Sequence, residues 1–376
     1  MRRNKHPTLK IVQIVRAPKG GIRKHIEDIF IGLCDSKYEN YLVTNEDDCD
    51  LAYSNFKSKK ILKEENIFHF NILDSPSPVD FWNIFKIYQQ LKNSNIDIIH
   101  GHGAKGGLYA RIVGLMLGAK VFYTAHGGSL HPMHGTLKNI LYKVIEKFLY
   151  YFTDKLIFES KHSMNTYSSI VHKNSSKFIL NTNSIDIPSD LNSLTPVDFN
   201  DSTIKIASFG LLRLIKGHSI IIKTLPLLLN AGHNVTYDVY GTGDEEDHLN
   251  ELAKSLKVDS IFKIHKYSKD ILGDMNNYHI IAQPSLFESF GYVPIEAMSR
   301  GIPVITSNNG GLSEVMKNGE IPHVCKSNTP EEYYDLIHNI ITNNDKTYLD
   351  KYKSLITSEY DVLNFRKKYI KVINDL

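Results

Sequence analysis

Twice along this chain a short apolar segment ends in a glycine turn and passes at once into a helical repeat. LKIVQIV (9–15) runs through PKGG into IRKHIEDIFIGL, where Ile22, Ile26, Ile29 and Leu33 recur at helical spacing. IKIASFG (204–210) restarts the pattern ahead of the helical HSIIIKTLPLLLNAG. Between them lie YLVT (41–44), IDIIH (96–100) with GHGAKGG after it, AKVFYTAHG (119–127), a helical stretch over 136–152, DKLIFES (154–160) and KFILNTNSID (177–186). The later part adds VTYDVYGTGD (235–244), IFKIHKY, HIIAQPS and GIPVITS (301–307). Alternating strands and helices predict parallel sheets covered on both faces. The expected fold class is therefore α/β with two doubly wound, Rossmann-like domains. Their expected bounds are 1–190 and 204–360, joined by a Pro-, Ser-, Asn- and Asp-bearing linker at 191–203. The last helix, 361–376, is expected to pack back on the first domain. Ligands of open parallel sheets bind beyond the carboxyl ends of the strands, where each of these glycine turns falls. The two domains are thus expected to face each other across a cleft.

Length and composition agree with this. The chain has 376 residues, too many for one ordinary domain. With 42% hydrophobic and 23% charged residues it reads as globular rather than disordered. No apolar run approaches the roughly 18–20 residues of a membrane span. The basic start MRRNKHPTLKIVQIV lacks a cleavage-like end, so no signal peptide is expected. Cys34, Cys49 and Cys325 are far apart, which suits a reduced compartment and argues against a disulfide framework or a cysteine zinc site. A cytoplasmic location is the expectation. Charge is uneven: residues 1–190 carry 25 Lys/Arg against 18 Asp/Glu, and the remainder 19 against 23. Such asymmetry suits contact between the first half and an anionic surface or ligand, although ordinary scatter of surface charge would look the same.

The densest chemistry lies in ESFGYVPIEAMSRGIPVI (288–305). Pro294 suits a first helical turn, where its missing N–H costs nothing. Glu296 is then expected in that first turn, near exposed N–H groups that attract anions, with Glu288 in the loop before it. Two such carboxylates suit a ligand with several hydroxyls and a phosphate, such as a nucleotide sugar. Arg213 and Lys216, after the strand at 204–210, could neutralise a diphosphate. Gly20 and Gly21 open a helix where backbone can approach an anion, but the pattern is not G-x-G-x-x-G. Gly241 and Gly243 form a similar turn. His126, at a strand end before two glycines, can donate to a sugar hydroxyl.

Other patterns carry less. His100-Gly-His102 invites a metal, but no further ligand series follows, and isolated pairs do not build a site. Asp48-Cys49-Asp50 matches D-x-D within a charge run that reads as solvated surface. The stretch 138–152 joins Lys138, Lys143 and Lys147 to many aromatics. It reads as a core helix with a lysine-bearing outer face, or as a membrane-touching one.

Taken in order, these motifs resemble those of family 4 retaining glycosyltransferases of the two-domain GT-B fold, over nearly the whole chain. E-S-F-G-x-x-x-x-E-A (288–297), then R-G-I-P-V-I and N-G-G-L-S-E (309–314), matches the family's most specific motif. The G-x(5)-K-G stretch (210–217), the GTG turn, T-A-H-G and N-S-I-D (183–186) occur in the expected order. The resemblance implies that Glu296 holds the ribose and Glu288 the donor-sugar hydroxyls, with backbone amides near Phe290, Gly291 and Tyr292. It assigns the diphosphate to Arg213 and Lys216, loop closure to Gly21 and a sugar contact to His126. The sequence departs from the family at Leu211, where arginine is frequent, and at His279, where aspartate is.

The implied reaction moves a hexose or N-acetylhexosamine from a nucleotide diphosphate sugar, UDP-linked, with retention and without metal or other cofactor. A saccharide acceptor on a lipid carrier, at the inner face of a membrane, is the expected partner; nucleic acid is not. Another GT-B chemistry, such as nucleotide-sugar epimerisation or phosphorolysis, and a silent GT-B partner subunit are the alternatives. A hydrolase reading of the two glutamates would need one of them as general acid, which a helix dipole at Glu296 opposes.

Overall fold

The computed structural model describes residues 8–45, 62–127, 136–173, 175–200, 202–266, 268, 270–343 and 346–376. The acidic run holding Asp48, Cys49 and Asp50 lies outside the described residues. The chain divides into two compact units, residues 1–182 with 363–376, and residues 183–362.

In the first unit seven strands form one sheet: β1 (Leu9–Val15), β2 (Tyr38–Thr44), β3 (Ile67–His69), β4 (Ile98–His102), β5 (Lys120–Thr124), β6 (Lys155–Phe158) and β7 (Phe178–Leu180). Their order is β3-β2-β1-β4-β5-β6-β7, all parallel. The order reverses between β1 and β4, which makes their carboxyl ends the switch point. Gln13 lies opposite His100, and His102 opposite Thr124. Strands covered on both faces need apolar side chains both ways, hence the fully buried Ile11, Val12 and Ile14 of β1.

Six strands build the second sheet: β8 (Ile204–Phe209), β9 (Val235–Tyr240), β10 (Phe262–His265), β11 (Ile280–Gln283), β12 (Val304–Ser307) and β13 (Val324–Cys325). The order β10-β9-β8-β11-β12-β13 is again parallel, with its switch point between β8 and β11.

The division differs from the expected bounds at one place. Residues 183–203 belong wholly to the second unit. Ile185 bridges to Asp361 and exchanges backbone hydrogen bonds with Tyr360 and Val362, and Leu191 is buried in that unit's core. Two apolar side chains thus turn the polar-looking connector into packed structure. At the other end, the helix Val362–Asn374 gives Phe365, Tyr369, Val372 and Ile373 to a cluster with Ile11, Ile29, Phe122 and Ile157 of the first unit. Arg366 Nη2 adds an ion pair to Asp28 Oδ1 at 2.7 Å.

The helix Thr136–Leu149 overturns its sequence reading as a core helix. Among its described side chains Glu146 and Leu149 are buried, whereas Ile140, Val144 and Phe148 are 55%, 59% and 63% exposed. Leu141 and Ile145 are exposed as well. The helix is anchored by a polar residue instead. The Glu146 carboxylate pairs with Arg111 Nη2 at 3.0 Å and accepts from the Tyr123 and Tyr167 hydroxyls at 3.0 and 3.3 Å. Arg111 also lies 3.7 Å over the Tyr123 ring and donates to Thr153 Oγ1. Among the described residues, no helix is long and apolar enough to cross a membrane.

A buried pair loses most when one partner remains alone. Glu146→Leu is expected to lower unfolding free energy by about 3–5 kcal/mol, and Glu146→Leu with Arg111→Met by clearly less. Urea unfolding of the two variants checks this; equal losses would mean that packing, not charge, holds the helix.

Candidate functional site

In the second unit the loops after β8 and β11 meet at the switch point. The Lys216 ammonium, at the end of the short turn Leu214–Lys216, donates to Glu288 Oε1. Gln283 Nε2 and Ser285 Oγ bond the same oxygen at 3.1 and 3.2 Å. Both members of the ion pair keep about a fifth of their side-chain surface exposed, 21% and 17%. Such a site can offer an ammonium and a carboxylate to a ligand while holding each in place by protein hydrogen bonds.

Backbone contacts lock the surrounding loops. Leu286 N donates to Ile215 O at 2.8 Å, Gly311 N to Glu288 O at 2.8 Å, and Ser307 Oγ to Ser285 O at 2.5 Å. The glycines of the GTG turn fit this packing. A Cβ on Gly241 would lie 1.9 Å from Gly210 O, and one on Gly243 2.2 Å from Leu212 O. The close approach that demands glycine there is therefore to the β8 loop.

Glu296 does not fall in the first turn of its helix. That helix spans Tyr292–Met298 and has no acidic residue in its first turn. Its cap is Gly291 at φ 122°, a conformation open to glycine, which starts the helix two residues before Pro294. Glu296 then stands in the second turn, half-buried. The Phe290 side chain is core, edge-on to Tyr292 and Tyr360. Arg213 is exposed, and its side chain makes no hydrogen bond or ion pair among the described residues, so the structure does not join it to Lys216 and Glu288. His279 is structural: Lys205 N donates to its Nδ1 at 2.9 Å.

The first unit holds a second polar group, at the carboxyl ends of β1, β4 and β5. The helix Gly20–Gly32 begins at Gly20, φ 50°, with Gly21 beside it, and carries His25. His102 Nε2 lies 2.8 Å from Gln13 Oε1, and His102 Nδ1 lies 3.1 Å from His126 Nε2. His25 packs edge-on to both His102 and His126. Sequence spacing offered no companion for His102 except His100. The fold instead brings His25 and His126 to it, with one ring nitrogen from each of the three within 4.8 Å of the others. His100, its ring 4.0 Å from that of His102, bonds instead to the Tyr369 hydroxyl and Thr124, each at 2.9 Å. Gln13 and Tyr369 carried no sequence signal, because they are 356 residues apart and meet only in the folded unit.

Comparison with known proteins follows the same division. Two parallel doubly wound units in series define the GT-B class. The crystal structure of HepE from Anabaena in complex with UDP and glucose superposes with a TM-score of 0.81 at 19% identity, covering 98% of this chain and 100% of that one. Residues 19–184 match the Glycosyltransferase Family 4 model and residues 195–358 the Glycosyl transferases group 1 model. The chain belongs to the family 4 glycosyltransferases. The O-antigen biosynthesis glycosyltransferase WclY of Escherichia coli is 25% identical over 74% of this chain and 79% of its own. An uncharacterized glycosyltransferase of Methanocaldococcus jannaschii is 31% identical over 130 residues; the match spans 34% of this chain and 33% of that relative.

Burial holds His100 and His102 well below the ordinary histidine value, with neighbouring histidines adding to the effect. Burial also pushes His218 down to about 4, aided by the Lys216 charge and opposed by its bond to Leu211 O. The folded chain therefore keeps these rings neutral while the unfolded chain protonates them below about pH 6.5. Their stabilisation is complete above that value and is lost as pH falls, by about 1.4 kcal/mol per pH unit for each ring. The melting temperature is expected to be flat from pH 8 to 7 and to drop between 6.5 and 5. A smaller drop in His218→Gln would assign that ring's share.

Proposed function

We propose that the chain transfers a hexose or N-acetylhexosamine from a UDP-linked sugar to a saccharide acceptor, with retention at the anomeric carbon. The observation that carries this is the Lys216–Glu288 pair held at the β8/β11 switch point. Lys216, with the exposed Arg213 as a second cation, stabilises the leaving diphosphate. Preorganised charge of this kind is worth on the order of 3–4 kcal/mol per donor. Glu288 grips the sugar hydroxyls and Glu296 the ribose; His126 makes a further sugar contact. Backbone at Gly291 and Tyr292 lines the ligand in the second unit, and Gly20 and Gly21 offer backbone to an anion in the first. The C1–O bond to the diphosphate breaks, the acceptor oxygen bonds C1 on the same face, and the acceptor proton passes to a leaving phosphate oxygen. The chemistry needs no protein base, metal or other cofactor. The UDP and glucose in the HepE complex support a UDP-linked donor for this chain.

The acceptor is a lipid-linked saccharide at the inner face of the cell membrane, in cell-surface polysaccharide assembly. WclY's role in O-antigen biosynthesis supports that reading. So does the outward apolar face of the helix Thr136–Leu149, flanked by exposed Lys143 and Lys147. An apolar stripe beside lysines suits peripheral contact with an anionic bilayer.

UDP and UDP-sugars are expected to raise the melting temperature. Lys216→Met should lower transfer on the order of 100-fold or more. Epimerisation without acceptor, or a requirement for inorganic phosphate, would replace the transferase reading. Binding to vesicles containing phosphatidylglycerol should weaken with salt and with Val144→Glu/Phe148→Glu; binding indifferent to both would remove the membrane from the proposal.

A further inference from the structure

One unbroken hydrogen-bonded chain runs through the first unit, from Thr124 to His126. Its centre is Gln13, fully buried in β1 at the β4 pairing edge. On one side, Gln13 Nε2 donates to the Tyr369 hydroxyl at 3.3 Å. That hydroxyl lies 2.9 Å from His100 Nδ1, and His100 Nε2 lies 2.9 Å from Thr124 Oγ1. On the other, Gln13 Oε1 faces His102 Nε2, and His102 Nδ1 faces His126 Nε2. Every group in the chain but one can either donate or accept at its links. The exception is the Gln13 amide, whose oxygen only accepts and whose nitrogen only donates.

We infer that Gln13 sets the ring tautomer of His126, so that His126 meets the sugar with a bare Nδ1 and accepts a hydroxyl proton there. The inference rests on the sugar contact assigned to His126 above. Because Oε1 can only accept, His102 carries its proton on Nε2. His102 is buried and neutral, so its Nδ1 is bare and His126 Nε2 must donate to it. Burial keeps His126 neutral too, which leaves its Nδ1 without a proton. The bond to His102 is the one His126 makes among the described residues. The other arm runs the same way: the Tyr369 hydroxyl, accepting from Gln13, donates to His100 Nδ1, and His100 Nε2–H donates to Thr124.

The consequence concerns donor class. A lone pair at Nδ1 accepts from a hydroxyl and repels a carboxylate or phosphate oxygen. The site therefore suits a neutral sugar with a free hydroxyl at this contact, and disfavours a uronic acid or an O-methyl sugar there. This differs from the sequence expectation that His126 donates. Gln13 acts through two histidines without touching the ligand, and is a positioning residue.

Long-range proton–nitrogen correlation spectra of the ligand-free, 15N-histidine-labelled protein at pH 7.5 read the tautomers directly. His102 and His126 are both expected as Nε2–H forms. Gln13→Glu, whose carboxylate still accepts from His102, should keep them. Gln13→Leu should release His126 to a mixture and weaken UDP-sugar binding roughly 10-fold, the value of one hydrogen bond, with UDP binding unchanged. An Nδ1–H His126 in the unmodified protein, or a tautomer indifferent to Gln13→Leu, overturns the inference; the first result needs no variant to fold. If the tautomers are as stated but no UDP-sugar binds, the proposed function fails and the tautomer assignment stands.

Discussion

A lysine ammonium bonded to a glutamate carboxylate at the β8/β11 switch point is the interaction on which the second unit's chemistry depends. Taking two charges partly out of water costs more than their attraction returns unless other groups complete the shell. Here Gln283 and Ser285 complete it for Glu288. The loops that carry those residues are in turn bonded to one another through their backbones, from Ile215 to Leu286 and from Glu288 to Gly311. Rigid loops then hold a cation and an anion at the one sheet edge where open α/β folds bind ligands. The glycines of the GTG turn serve this locking, since any Cβ would strike the neighbouring loop's carbonyls.

The first unit solves a different problem, a row of polar side chains inside a parallel sheet. Gln13, His100, His102 and Thr124 are all buried, and an unsatisfied polar group in such a place is costly. They satisfy one another, and the helix Val362–Asn374 closes the set with Tyr369. That helix is bound by apolar packing and by Arg366–Asp28. Its return explains why a residue near the end of the chain bears on a histidine pair at the ends of β4 and β5. The same unit inverts the usual logic in the helix Thr136–Leu149, burying a glutamate and exposing isoleucine, valine and phenylalanine.

Much of the fold was legible because strand–glycine–helix alternation leaves few topologies, and right-handed crossovers prune those further. The shorter strands β3 and β13 were not, since three or two residues carry no period. Lys216 and Glu288 were legible as members of an ordered motif. The position of Glu296 was misjudged because Pro294 suggested a helix start, whereas the φ of Gly291 decided it. Arg213 looked equivalent to Lys216 in sequence, yet only Lys216 lies at the end of a turn that points it at Glu288.

By itself the sequence determined two parallel α/β units, the residue types at their strand ends and the family 4 identity. Those follow from local periodicity and motif order, which need no knowledge of distant contacts. Tertiary structure alone decided which side chains meet: Glu146 with Arg111, Gln13 with Tyr369, and His25 and His126 with His102. Each pairing joins segments brought together by sheet order and helix return, and the protonation of a buried ring depends on its neighbours in space.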